Sequence, residues 1–120
     1  MTPFARILER AVAATPGAIG GAFAAADGEM VDFVAKGDAH EWALLTAHYG
    51  VVLANLEALL NTQHYGGTRY FVVENSRLDV LVHTVEGGYY ALLAVPPPAP
   101  LGRALGALEV AAAELRREMR

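Results

Sequence analysis

The chain has 120 residues, 54% of them hydrophobic and only 18% charged, with a formal net charge of −4 and no cysteine. Such a composition excludes a disordered chain, a disulfide scaffold, a thiolate metal site and a cysteine nucleophile. The length supports one domain, residues 1–120, and the apolar surplus over what a small monomer easily hides points to self-association.

Thr2 or Pro3 opens a first helix in which Phe4, Ile7, Leu8, Ala11 and Val12 recur at helical spacing, and Pro16-Gly17 ends it. The start, Met1 to Arg6, has no apolar run behind a basic one, so a secretory signal is not expected and a cytoplasmic location is. Ala18 to Ala26 reads as a strand and Asp27-Gly28 as a hairpin turn, with Met30 to Ala35 as the returning strand. Gly20, Gly21, Ala22 and Ala24 suit a central strand on which a helix lies close. Asp38 is placed to cap the next helix, and Glu41 three residues later completes a capping box.

That helix, from its cap Asp38 to about Thr62, holds only two charged residues after the cap, Glu41 and Glu57. A surface helix of a single domain carries a charged face, and this one has none, so something must cover both of its sides. Leu45, Tyr49, Val52, Leu56 and Leu59 form a bulky stripe suited to the chain's own sheet. Ala43, Ala47, Gly50, Ala54 and Ala58 form a small-residue stripe that lets a second helix approach closely, as in an antiparallel pair about a two-fold axis. Two rivals are burial between two layers of the same domain and a membrane span; His48, Asn55 and Glu57 interrupt the latter.

Three strands follow, Thr68 to Glu74, Leu78 to Val85 and Gly88 to Val95, joined by turns short enough for an antiparallel meander. Their interiors are apolar on both faces, which an antiparallel sheet shows when helices cover both sides. Pro96-Pro97-Pro98 is a stiff connector. Pro100 fits the first position of a last helix, whose Leu101, Leu105, Leu108, Ala112, Leu115 and Met119 face the core. The expected fold is α+β: a five-stranded antiparallel sheet in a three-layer α/β/α arrangement, in the order α-β-β-α-β-β-β-α.

Little chemistry is written into the sequence. Gly17, Gly20 and Gly21 match no phosphate-loop spacing. The histidines His40, His48, His64 and His83 show no metal-ligand spacing, and Ser76, the only serine, cannot be reached together by Asp79 and His83 from one strand. Carboxylates come singly, and the only basic cluster is Arg116, Arg117 and Arg120. No catalytic residue, cofactor or metal is therefore assigned, and nucleic acid is not an expected partner. Trp42, Tyr49, His48, Tyr65, Tyr70 and Tyr90 stand out instead, because aromatic side chains often anchor protein interfaces. A His48 paired across a dimer would weaken association on protonation.

The Thr15-Pro-Gly-Ala-Ile-Gly-Gly start of the first strand, Asp27-Gly-Glu-Met-Val in the first turn, the uncharged second helix and Gly88-Tyr-Tyr-Ala-Leu-Leu together resemble the Roadblock/LC7 domain family, in its bacterial single-domain MglB/MglC-like type. The resemblance implies a homodimer joined through the second helix and the edge strand after it, with one sheet continuous across both subunits. It also implies a non-enzymatic regulator or scaffold that binds a Ras-like small GTPase or a Roadblock paralogue and modulates its nucleotide cycle or localisation, as in cell polarity and motility. The interface expected on these grounds comprises Trp42, Ala43, Ala47, His48, Gly50, Val51, Ala54 and Ala58 of the helix, with Tyr70 and Val72 of the strand. The alternative is a monomeric ligand-sensing module of PAS or profilin-like shape, marked by an internal apolar cavity.

Overall fold

The computed structural model describes residues 1–120. Its elements are α1 (Pro3–Ala13), β1 (Gly20–Ala24), β2 (Met30–Ala35), α2 (Ala39–Gln63), β3 (Tyr70–Glu74), β4 (Asp79–Thr84), β5 (Tyr90–Val95) and α3 (Leu101–Glu118), in the expected order. The five strands form one sheet in the order β2-β1-β5-β4-β3, with every neighbouring pair antiparallel. β1 and β5 are central, so the small residues of β1 do lie mid-sheet, and β2 and β3 are the two edges.

Side chains alternate across the sheet. One face receives α1 and α3, which pack on Phe23, Leu81, Ala91, Leu93 and Val95 through Leu8, Ala104, Leu108 and Leu115. The opposite face receives α2 alone, over Ala24, Val80, Val82, Tyr90, Leu92 and Ala94. Three layers result, as the doubly apolar strands required.

Local chemistry sets the ends. Thr2 accepts from the Ala5 amide at 3.0 Å and caps α1. Asp38 caps α2 by accepting from the His40 amide at 3.1 Å. Its partner is the second amide of the helix and not that of Glu41, and Glu41 makes no bond back, so Asp38 caps α2 without the expected capping box. His64, in the left-handed region at φ 59°, ends α2. Pro100 is the residue before α3 and not its first helical position. The β1 ladder begins at Gly20 and not Ala18.

The α2 contact departs most from the expected wheel. Trp42, Thr46 and Leu53 are its buried residues, whereas Val52 and Leu59, assigned to the sheet side by their bulk, are exposed. The inward stripe runs through a threonine and a glycine because Tyr90 of β5 reaches up between them. Its hydroxyl donates to the Thr46 carbonyl at 2.7 Å, and a Cβ on Gly50 would lie 2.4 Å from that hydroxyl. A stripe picked by side-chain size passes over both positions.

Candidate interface on helix α2 and strand β3

With its inner stripe spent on the sheet, α2 turns Leu44, Val51, Val52 and Leu59 outward, at 47%, 60%, 38% and 57% exposure. His48, Ala54, Asn55 and Ala58 are exposed as well. No charged side chain interrupts this face from Trp42 to Leu56. Contiguous apolar surface of this kind is uncommon on a monomer and marks a contact site. By length and composition α2 could also cross a bilayer, but its inner side is tied to the sheet by the Tyr90 hydrogen bond and the Trp42 packing.

The expected interface residues of the helix divide three ways. His48, Val51, Ala54 and Ala58 lie on the outward face. Trp42 and Gly50 do not: Trp42 is buried beside Gly20 and Ala35, so closely that a Cβ on Gly20 would come within 2.6 Å of its ring, and Gly50 lies under the Tyr90 phenol. Both are intramolecular, because an aromatic ring on an inner-face position finds its partner in its own sheet first. Ala43 is half-buried, and Ala47 sits against the β1–β2 turn, its Cα 3.5 Å from the position of a Gly28 Cβ.

Tyr70 and Val72 point their side chains to the other face of the sheet. Val72 packs on the α1/α3 core, and the Tyr70 ring stacks on His83 with centroids 6.1 Å apart and the Arg69 guanidinium 6.0 Å away. Their backbones, however, are well placed. Thr84 N–H donates to Arg69 O at 2.9 Å, and pairing alternates along an antiparallel ladder, so Phe71 and Val73 bond inward to β4. The N–H and C=O groups of Tyr70, Val72 and Glu74 consequently face the open edge. β3 and the outer face of α2 lie on the same flank, linked by the stacked Tyr49 and Phe71 rings (6.4 Å) and by Asn75 donating to the Tyr49 hydroxyl at 3.3 Å.

Leu44, Val52 and Leu59 belong to the outward face but not to the interface expected from the sequence. Residues 44, 48, 51, 52, 55 and 59 recur at helical spacing without charge, a signal that side-chain bulk, which directs Val52 and Leu59 inward, overrides.

A cavity of about 470 Å³ lies between the second half of α2 and the β4–β5 turn, with Gly50, Leu53, Glu57, Thr68, Thr84, Glu86 and Tyr90 in its wall. Its ionisable groups are already engaged. Glu57 accepts from the Thr68 amide at 3.2 Å, and Glu86 pairs with Arg120 at 2.8 Å, which holds its carboxyl below the ordinary value. Burial, followed by the negative charge of Asp27, pushes the Tyr90 phenol up to about 12. The cavity thus brings together no free acid–base pair, and no three metal-ligating side chains converge anywhere in the chain.

No protein-family profile and no curated protein matches the sequence significantly. Solved structures do match the fold. The chain is similar to a Roadblock/LC7 domain from Streptomyces avermitilis at a TM-score of 0.88 and 14% identity, covering 95% of both chains. It is similar to the gliding protein MglB from Thermus thermophilus at 0.85 and 18%, covering 96% of this chain and 87% of that one. For MglC from Myxococcus xanthus the values are 0.70 and 23%, with 98% and 99% covered. Over nearly its whole length, then, the chain has the Roadblock/LC7 fold.

Proposed function

We propose that the protein is a non-enzymatic, homodimeric regulator or scaffold that pairs through α2 and the β3 edge. Its two-subunit surface receives a Ras-like small GTPase or a Roadblock paralogue and adjusts that partner's nucleotide cycle or localisation. The single observation that carries this reading is the uncharged outer face of α2 beside an open β3 edge. Antiparallel pairing of β3 about Val72 makes Val72 a hydrogen-bonded pair with itself and Tyr70 one with Glu74 of the second copy, continuing the sheet. The shared fold supports the reading, as does the occurrence of a tetrameric arrangement in an MglB of 20% identity.

Titration of the protein against purified Ras-like GTPases, loaded with GDP or a non-hydrolysable GTP analogue, tests it. Binding is expected in one nucleotide state more than the other, with a changed hydrolysis or exchange rate, and is expected to weaken when Val51→Glu separates the subunits. Equal binding by the separated variant, or nucleotide hydrolysis by the protein alone, would contradict the reading.

A further inference from the structure

The opposite edge of the sheet is open too, since β2 is bonded to β1 on one side only. Ladder phase shows which of its groups are free. Val85 N–H donates to Tyr89 O at 2.8 Å, so Ala91, Leu93 and Val95 of β5 bond to β4, while Tyr90, Leu92 and Ala94 bond to β1. Their partners Ala24, Ala22 and Gly20 are thereby used, leaving Gly21 and Phe23 to bond Val34 and Asp32. Ala25 N–H donating to Glu29 O at 2.9 Å fits the same phase. The N–H and C=O groups of Ala35 and the C=O of Phe33 therefore face the open edge, and the Phe33 N–H on that edge donates to the Asp32 carboxylate of its own chain at 2.9 Å.

Asp32 and Val34 share the face that carries α1, and Lys36, the first residue after β2, stands beside Val34 and Val12 of α1 in one groove wall, so pairing there lengthens the strand by one residue. Asp32 accepts from the Thr2 hydroxyl, and Val34 packs against the α1/α3 core. Beside them runs an apolar groove of about 640 Å³ walled by Val12, Ala18, Ile19, Val34, Ala35 and Lys36, and Ile19 and Val31 are about half exposed.

We propose that this edge is a second self-association surface, on which β2 pairs antiparallel with β2 of another copy about a two-fold axis at Val34. The order acid, apolar, base at 32, 34 and 36 is self-complementary in that register. Val34 faces Val34, and each Asp32 faces Lys36 of the other copy. Phe33 and Ala35 form the two hydrogen-bonded pairs of this edge once the Asp32 carboxylate turns from its own Phe33 N–H to the facing Lys36, so the ion pairs fall in the non-hydrogen-bonded positions, where facing side chains are closest. Moving the axis to Phe33 sets Asp32 against Val34 and Lys36 against Met30, losing both ion pairs. Because β2 and β3 are opposite ends of one sheet, pairing at β2 is compatible with pairing at α2 and β3, and joins dimers into larger assemblies. Charges on an edge strand also serve elsewhere to forbid pairing; the two roles give opposite outcomes when the charges are swapped.

Light scattering on Val51→Glu, which removes α2 pairing, reads the β2 edge alone. As concentration rises to the order of 1 mM, suited to a small, weak interface, the mass climbs above 12.7 kDa. Asp32→Lys and Lys36→Asp, each added singly, abolish the climb, and mixing the two single-swap proteins, or combining both swaps in one chain, restores it. Circular dichroism checks that each variant is folded. A Val51→Glu protein that stays monomeric, single swaps that associate as well as the parent, or folded single swaps whose mixture fails to associate would overturn the proposal. If Val51→Glu is a dimer even when dilute, the α2 reading fails instead, and the same swaps are then read as loss or retention of mass above the dimer.

Discussion

On one face of the sheet two helices lie side by side, and the residues between them and the strands, from Leu8 to Leu115, form one closed apolar cluster. On the other face a single 25-residue helix rests on a smaller cluster through Trp42, Thr46 and Leu53, with Leu45 and Tyr49 beside them, and turns Leu44, Val51, Val52 and Leu59 to solvent. The difference lies in where charge is placed. Along α1 and α3, Arg6, Glu9, Arg10, Arg103, Glu109, Glu114 and Arg117 take up the outward positions, and Arg10 pairs with Glu114 across the two helices. Along α2 no such residues exist between Glu41 and Glu57. A helix whose outer positions are charged is suited to water; one whose outer positions are leucine, valine and alanine presents a face suited to cover by protein.

Substitutions can break this comparison at either face. Leu108→Ala, in the closed cluster, is expected to cost roughly 2–5 kcal/mol in denaturant unfolding through lost burial and a residual cavity, with no change in subunit number at concentrations where the variant is folded. Next comes Gly50→Ala: its methyl group meets the Tyr90 hydroxyl, so the gain in helix propensity is outweighed and the net loss is about 1–3 kcal/mol. An alanine scan of α2 in which position 50 is neutral would contradict the Tyr90 anchor.

Tyr90 itself supplies a pH test of the α2 face. Its folded value is raised from 10 to about 12, so the neutral phenol is favoured in the fold. Stability from this group is fully present below pH 10 and falls as pH rises from 10 through about 12, because the unfolded chain releases the proton first. Tyr90→Phe removes that alkaline slope and costs on the order of 1 kcal/mol at neutral pH, since the lost hydrogen bond leaves the Thr46 carbonyl to its helical partner alone. Arg120→Ala should have the smallest effect. The Glu86–Arg120 pair lies on the surface, and any contribution it makes is present above the ordinary Glu value of 4.5 and lost as pH falls below it. Thermal midpoints of wild type and variant should converge in acid.

The layered fold was legible in the sequence because it rests on local signals. Asp27-Gly28, the proline connector and the doubly apolar strands are short-range statements of turn, break and burial. Which residues of α2 face inward was not legible, because that choice depends on Tyr90, 44 residues from Thr46 in the chain. On the sequence Gly50 offers a place for another helix to approach, and in the fold a phenol of the same chain approaches there. On the sequence Trp42 has the character of an anchor for a partner, and in the fold Gly20 and Ala35 leave it just enough room in its own core. The backbone phase of β3, which turns Tyr70 and Val72 to the open edge, depends on its pairing with β4 and has no local sequence mark.

The outer face of α2 is tested most directly by molar mass. Light scattering after gel filtration, on wild type and Val51→Glu at micromolar concentration, should give twice 12.7 kDa for the first and 12.7 kDa for the second. Unfolding free energies of the separated variant and of the wild type extrapolated to its monomer should agree within about 0.5 kcal/mol, as for an exposed site. A wild type that is monomeric at every concentration would contradict the account, and would mean that this apolar face stands in water unpartnered.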